Sequence, residues 1–358
     1  MSLVGIDIGS SAVKAAAYDT GGALLAQATE AVPSLHPGPG LSEVDGDGVW
    51  KAVVAVVQQV TTDERVRRDP PAALAVSASG REGFPARADG SALGPCLRTA
   101  DARRPETEAA LTLKRSSERW IRDCGHVPDH MDPTNRILWW AEQAPRTMSR
   151  ARWFLGWHEL VSLRLTGRPT VDPALASGFL IFDLATGAWS AERIGRLGLD
   201  PRPHLSGAPG PWPDSPGSAG AVSGLTLATT GADLVRAALE GIAIDLVLAI
   251  EALRAGGSQI QTGTVTGGGA RSSWWMQLKA DLLGMPVEVS KQAEPGTLGA
   301  ALLAGVGAGV YGSLHEAATR AGIARRFEPD ERRAARYATK VARHRRWAAE
   351  LLAGPRER

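Results

Sequence analysis

Leu3-Val4-Gly5-Ile6-Asp7-Ile8-Gly9-Ser10-Ser11-Ala12-Val13-Lys14-Ala15-Ala16-Ala17-Tyr18 opens the chain and decides its fold. Leu3 to Ile8 reads as a buried strand, Gly9-Ser10-Ser11 as a tight turn, and Ala12 to Tyr18 as a second strand with alternating faces. Asp19-Thr20-Gly21-Gly22 is another turn, and residues 23–28 form a third strand. Three strands in succession make an antiparallel meander. This excludes a dinucleotide-binding start, in which a helix follows the first turn.

Working outward, residues 45–61 carry helical periodicity through Val49, Trp50, Val53, Val54 and Val57. Residues 72–77 are a short apolar strand, as expected in a sheet covered on both faces. Residues 104–113, 134–143 and 154–165 read as helices. Pro and Gly are dense over 201–224 and apolar periodicity stops, so this stretch reads as a linker. Beyond it come a helix (231–255), a strand (261–266), a Gly-rich turn, a helix (272–283), a strand (287–290), a helix (296–308) and an Arg-rich helical tail (330–352). Alternation of this kind defines an α/β unit.

With 358 residues the chain has room for two domains. Forty Lys+Arg against 38 Asp+Glu leave a net charge of +2, which gives no reason to expect nucleic acid or a membrane as partner. The Arg-rich run 332–346 reads as a solvated helix face. Cys96 and Cys124 cannot make a disulfide framework or a zinc site, and read as buried small residues in a reducing compartment. Without a basic, apolar leader at its start, the chain is expected to be cytoplasmic.

Some segments carry chemistry. Asp7-Ile8-Gly9-Ser10-Ser11 puts a carboxylate at a strand end before a Gly and two hydroxyls. Such a turn lets backbone N–H groups meet phosphate oxygens, and Asp7 could hold Mg²⁺ through water. A plain hairpin turn is the competing reading. Gly267-Gly268-Gly269-Ala270 ends a strand before a helix, which lets a flat ligand or a phosphate lie against bare backbone. An ordinary strand-to-helix turn with Ser272 as N-cap is its competitor. Gly296-Thr297-Leu298-Gly299-Ala300-Ala301 offers small residues for close helix packing or ligand approach. Trp139-Trp140, at helical spacing with Ile137, reads as core first and ligand platform second.

Taken in order, these segments resemble the FGGY carbohydrate kinases, ATP-dependent sugar kinases of the actin/hexokinase/Hsp70 superfamily. Asp7-Ile8-Gly9-Ser10, with Lys14, is similar to that family's first phosphate loop, with Ser in place of Thr. Ser79-Gly80-Arg81-Glu82-Gly83 and Asp101-Ala102-Arg103 resemble its substrate-side loops. Gly267 to Ala270 resembles its adenosine loop, and Gly299-Ala300-Ala301 the segment closing the nucleotide site. The resemblance implies an actin-like, ribonuclease H-like ATPase fold. A substrate and phosphate-loop domain would span 1–225 and a partial adenosine-binding domain 226–358. It also implies ATP and Mg²⁺ as cofactors. Asp7, Gly9, Ser10, Ser11 and Lys14 would meet phosphate and metal. Gly267, Gly268, Gly269, Ala270 and Gly299 would meet nucleotide, and Arg81, Glu82, Asp101 and Arg103 a sugar or polyol.

The sequence departs from the family at one place. A typical member is about 130–150 residues longer, as the resemblance implies. The spacing fails only between about Ser206 and Gly231. The second phosphate loop and the Asp that serves as general base belong there. Asp214 reads as a linker residue and Asp245 as a solvated or capping charge, so the catalytic position stays unassigned. The expectation is therefore an impaired kinase, with a non-catalytic regulator or scaffold that binds nucleotide, sugar or a protein as the alternative. The second sheet would keep two strands, near Val265 and Val287, with edges needing cover from the rest of the chain, a second copy or another partner.

Overall fold

The computed structural model describes residues 1–99, 101, 103, 116–126, 128, 132–199, 226–292 and 294–352. The expected helix at 104–113 and the linker with Asp214 lie outside them. The chain forms two units, Met1–Ser218 with Gly296–Ala317, and Ala219–Pro295 with Ala318–Arg358.

In the first unit the meander is β1 (Ser2–Ile8), β2 (Ala12–Asp19) and β3 (Leu24–Ala31). It is followed by β4 (Glu43–Val44), a helix at Gly46–Thr62 and β5 (Pro71–Ala78). The sheet order is β3-β2-β1-β5, with β1 antiparallel to β2 and parallel to β5. Period-two alternation gives β1 two faces. Val4, Ile6 and Ile8 join Val49, Val53, Val56 and Val60 of the Gly46–Thr62 helix in one core. Asp45 caps that helix by accepting from the Asp47 amide.

Leu3, Gly5 and Asp7 point the other way, toward the helix Pro295–Gly307. A Cβ on Gly5 would overlap the Thr297 carbonyl oxygen, and one on Gly305 would stand 2.7 Å from Leu3 Cδ1. Tyr18 Oη and Thr297 Oγ1 share a buried hydrogen bond of 2.8 Å. This late helix thus packs on the first sheet, within the first unit.

Short pairs complete the unit. β4 pairs with β7 (Cys96–Leu97), β6 (Phe84–Ala86) with β8 (Trp153–Leu155), and β9 (Phe182–Asp183) with β10 (Ala188–Trp189). The expected helix at 154–165 is corrected here. Its first residues form β8, and the helix begins at Trp157 after the break at Gly156. A second core gathers Leu97, Trp120, Cys124, Ile137, Trp140, Phe179, Leu180 and Ile181. Buried Arg193 ties it down, donating to the Leu180 and Phe182 carbonyls at 2.8 and 2.9 Å and pairing with Asp183 at 2.7 Å.

Both cysteines are buried and free. Burial pushes the Cys124 thiol up to about 11, against the opposing Arg193 charge. Burial likewise raises Cys96 well above the ordinary thiol value. Thiolate is the reactive form. Neither thiol should react with a disulfide reagent at pH 8 in the native protein, and both should react in denaturant. Rapid labelling of the native protein would contradict this packing. Because the unfolded thiols ionise first, stability falls as pH rises from 9 toward 11. A series of melting curves across that range checks the sign.

The second unit contains the helix Gly231–Ala255, β11 (Gly263–Val265), the helix Ser273–Leu283, β12 (Val287–Ser290), β13 (Ile323–Phe327) and the tail helix Glu331–Leu352. Ser272 caps the Ser273–Leu283 helix, as the ordinary-turn reading of that segment has it. The two-strand expectation is corrected to three, with β13 antiparallel to β12 and covering that edge. Arg325-Arg326 hides the strand from any apolar pattern. The backbone ladder with β12 and Phe327 on the core hold the strand, and Arg326 pairs with Glu288 at 2.6 Å on its polar face.

The tail helix is less solvated than its composition suggests. Arg333 pairs with buried Asp281 at 2.6 Å and Lys340 with Glu240 at 2.7 Å. Burial pushes the Glu240 carboxyl up, but the Lys340 and Arg236 contacts outweigh it and hold the carboxyl below its ordinary value. Asp245 faces His344 at 3.4 Å. Among the described residues no helix is long and apolar enough to cross a membrane.

Candidate functional site

The ends of β1 and β5 bring together the candidate residues of the first unit. β1 delivers Asp7, and the turn closes through the Gly9 amide donating to the Ala12 carbonyl at 3.0 Å. Lys14 on β2 stands directly opposite Asp7 in register, so both project from the same sheet face. The Asp7 carboxylate lies against the first turn of the Pro295–Gly307 helix, where a Cβ on Gly296 would stand 2.6 Å from Oδ2. Only a glycine leaves that space open.

Parallel pairing puts the β5 end beside the β1 end, with the Ser79 amide donating to the Ile8 carbonyl at 2.9 Å. Arg81 follows with φ 61°, the one non-glycine in the left-handed region among the described residues. A residue held there costs about 1–2 kcal/mol, a strain that gathers at functional sites. It turns Glu82 inward. Glu82 is buried and accepts from Trp157 Nε1 at 2.6 Å and from Ser79 Oγ at 3.3 Å.

Arg98 connects this corner. Its Nε lies 3.6 Å from Glu82 Oε1, and its Nη2 donates to the Ser10 carbonyl. Arg136, also buried, donates from Nη2 to the carbonyls of Arg98 and Thr99 at 2.9 and 3.1 Å. Burial pushes its guanidinium below the ordinary value. Asp101 accepts from the Ser42 amide at 2.7 Å and from Arg103 Nε at 2.9 Å. Arg103 reaches Glu43 at 2.6 Å and lies 4.9 Å over the Trp139 ring. Burial works against the Arg103 charge, but bonding to Asp101 and Glu43 outweighs it and raises the group.

Asp7, Gly9, Ser10, Lys14, Arg81, Glu82, Asp101 and Arg103 therefore fall on adjoining strand ends and loops of one unit, with Ser11 in the same turn as Gly9 and Ser10. Arg98, Arg136 and Trp157 were missed from sequence. Arg98 follows β7, Arg136 lies in the helix Pro133–Gln143 and Trp157 opens the helix at Trp157–Thr166; none carries a signal in its own segment, and only its buried partners from distant segments reveal its use.

The Gly-rich loop lies in the second unit. Gly267 has φ 81°, and Gly267 and Gly268 have open space where a Cβ would be. A recess of about 210 Å³ opens beside it, lined by Gly267, Ala270, Arg271, Ser290, Lys291 and Arg325 among others. Arg325, from the unexpected β13, donates to the Ala270 carbonyl at 2.6 Å and to Ser273 Oγ at 2.8 Å, pinning the loop. Gly299 lies on the exposed side of the Pro295–Gly307 helix in the first unit.

The residues present fit the groups that the resemblance implies. Among the described residues no set of three or more His, Cys, Asp and Glu could hold a metal. One carboxylate beside two hydroxyls suits Mg²⁺, which keeps most of its waters and shares phosphate oxygens. Open glycine backbone beside a cationic recess suits a nucleotide.

A sheet with this meander and parallel fourth strand, and a second α/β unit with a bare glycine loop, are the parts of an actin-like fold. The comparisons make this specific. Residues 2–208 match the N-terminal domain, and residues 157–308 the C-terminal domain, of the FGGY family of carbohydrate kinases. The chain belongs to that family. A glycerol kinase from Aromatoleum aromaticum is 41% identical over 156 residues, which is 41% of this chain and 31% of that protein. One from Citrifermentans bemidjiense is 46% identical over 132 residues, 37% of this chain and 26% of that protein. The chain thus matches about a third or less of the length of these relatives. Xylulose kinase from Rhodospirillum rubrum superposes with a TM-score of 0.85 at 17% identity, covering 99% of both chains. Plasmodium falciparum glycerol kinase with ADP superposes at 0.79 and 14% identity, covering 100% of this chain and 99% of that one. At such identities the likeness shows the fold.

Proposed function

We propose that the chain binds ATP with Mg²⁺ and a small sugar or polyol, and that phosphoryl transfer between them is slow for want of an acidic base at the acceptor hydroxyl. The observation that carries this reading is Arg98. It joins Glu82 of the substrate loop to Ser10 of the phosphate loop, so both loops are held as one bonded corner.

In this reading Asp7 orients the water shell of the metal, and the amides of Gly9 to Ser11 meet phosphate oxygens. Lys14 adds positive charge on the same face. Gly267 to Ala270 take the adenosine, with Arg271 and Lys291 at the recess. Mg²⁺ supplies neutralisation of phosphate charge when bound. Arg81, Arg103 and Trp139 face the acceptor, while Asp101 holds Arg103 and Glu82 holds Arg98. Phosphoryl transfer rests on positioning and electrostatics. A missing general base costs typically 10²–10⁴-fold, or about 3–5 kcal/mol of barrier.

One observation favours the non-catalytic alternative. Glu82 and Asp101 are already satisfied by internal donors. Calorimetry with Mg·ATP, and ATP consumption with glycerol, pentuloses and hexuloses, separate the readings. The expected result is nucleotide binding lost in Asp7→Ala, with acceptor-dependent turnover 10²–10⁴-fold below that of a relative holding the base. Full-rate turnover abolished by Asp7→Ala rejects the impairment. Binding with no turnover for any acceptor selects the non-catalytic reading. Absence of nucleotide binding removes the assignment of Gly267 to Ala270.

A further inference from the structure

The recess at the end of the second unit's sheet has cationic walls. β11 and β12 are parallel, with Val265 level with Val289, so their carboxyl ends lie side by side. In open α/β sheets ligands bind outside that end. Arg271 follows β11, Lys291 follows β12, and Arg325 comes from β13. These three cations line the hollow together with Thr266 and Ser290, and no carboxylate lines it among the described residues. At about 210 Å³ it is smaller than the roughly 300–1,000 Å³ of sites that enclose drug-sized ligands.

Elsewhere in this unit cations are matched by carboxylates, as Arg326 is by Glu288, Arg333 by Asp281 and Lys340 by Glu240. The recess differs. Arg325 is fixed by two neutral acceptors, the Ala270 carbonyl and Ser273 Oγ, so its charge stays unmatched. Arg271 and Lys291 meet no carboxylate among the described residues. The Lys291 stem lies across Gly322, where a Cβ would stand 3.1 Å from its Cδ, so the fold keeps a path open for that side chain. Like charges around one hollow repel one another, and an anion among them relieves the repulsion. The helix Ser273–Leu283 starts from the same loop and adds the positive end of its dipole.

We propose that this recess binds a phosphate group, held by Arg271 and Lys291 beside the fixed charge of Arg325. A tetrahedral dianion accepts from several directions at once, and an ammonium, two guanidiniums and two hydroxyls converge here from three segments. The recess lies wholly within the second unit. The site goes beyond the nucleotide reading, because it needs no adenosine on Gly267 to Ala270.

The test is calorimetric titration of the full chain with inorganic phosphate at fixed ionic strength. The wild-type chain should bind phosphate saturably. Lys291→Gln and, separately, Arg271→Gln should each weaken binding about tenfold or more, the effect of losing one hydrogen bond to a charged group. Both side chains are exposed, so the melting temperature in phosphate-free buffer should not move. The two variants lie on different segments, so one still reports should the other fold poorly. Repeating the titration with ADP or with adenosine present identifies the source. Phosphate displaced by ADP but not by adenosine makes a nucleotide's own phosphates the occupant. Phosphate bound beside ADP makes the occupant free phosphate or a separate phosphate ester. Either result supports the site. A chain that binds phosphate but no nucleotide keeps this site and rejects the nucleotide reading. Absence of saturable phosphate binding, or an affinity unchanged in both variants, overturns the proposal.

Discussion

Gly5→Ala should lower the melting temperature by about 6–12 °C, from a destabilisation of about 3 kcal/mol. β1 lies between β2 and β5, and the Pro295–Gly307 helix runs directly over its backbone at Gly5. The added methyl would overlap the Thr297 carbonyl oxygen and stand 2.8 Å from the Ala301 nitrogen. Both obstacles are backbone atoms of one helix, so no side-chain rotation relieves them. The helix must retreat, and Tyr18 then loses its 2.8 Å bond to Thr297. Overpacking a filled core costs typically 1–3 kcal/mol, and a backbone obstacle belongs at the upper end.

Gly299→Ala is the matched control. It lies on the same helix with nothing within 4 Å of the position a Cβ would take. Replacing a helical Gly there gains up to about 1 kcal/mol from helix propensity. The two single-methyl additions should therefore move the melting temperature in opposite directions. Equal shifts would show that the helix does not press on β1.

Arg98→Met should cost about 3–5 kcal/mol of stability and, on the proposed function, abolish polyol or sugar binding. The guanidinium and the Glu82 carboxylate are both almost fully buried, at 4% and 5% exposure. Removing the cation leaves a buried carboxylate with only Trp157 and Ser79, and leaves the Ser10 carbonyl without its donor. A double change, Arg98→Met with Glu82→Gln, removes both charges and should recover part of the lost stability. Denaturant titration of the single and double variants gives the coupling. A coupling near zero would mean that the Arg98–Glu82 contact holds nothing together.

The elements of the fold were largely legible, because each shows a local period. β1, β2 and β3 follow from alternation and the turns at Gly9 and Gly21. The Gly46–Thr62 helix follows from valines on one stripe. β13 was illegible because two adjacent arginines break any alternation, and its pairing partner Glu288 is distant in sequence. The helical period expected over 154–165 overruns β8 because a three-residue strand is too short to show a period.

The sequence by itself determined the strand meander, the order of the glycine-rich and charged loops proposed to meet phosphate, substrate and adenosine, and the family. These depend on which residue types follow one another over short spans, where glycine, hydroxyl and carboxylate have fixed uses. Tertiary structure alone decided that Glu82 points inward to Trp157, and that Arg98 reaches Ser10 across 88 residues of sequence. It alone decided that Gly5 is glycine because a helix from the other end of the chain lies on it. Such choices come from burial and close approach between distant segments. Their energies depend on what the surrounding fold excludes from water, and no local pattern records that.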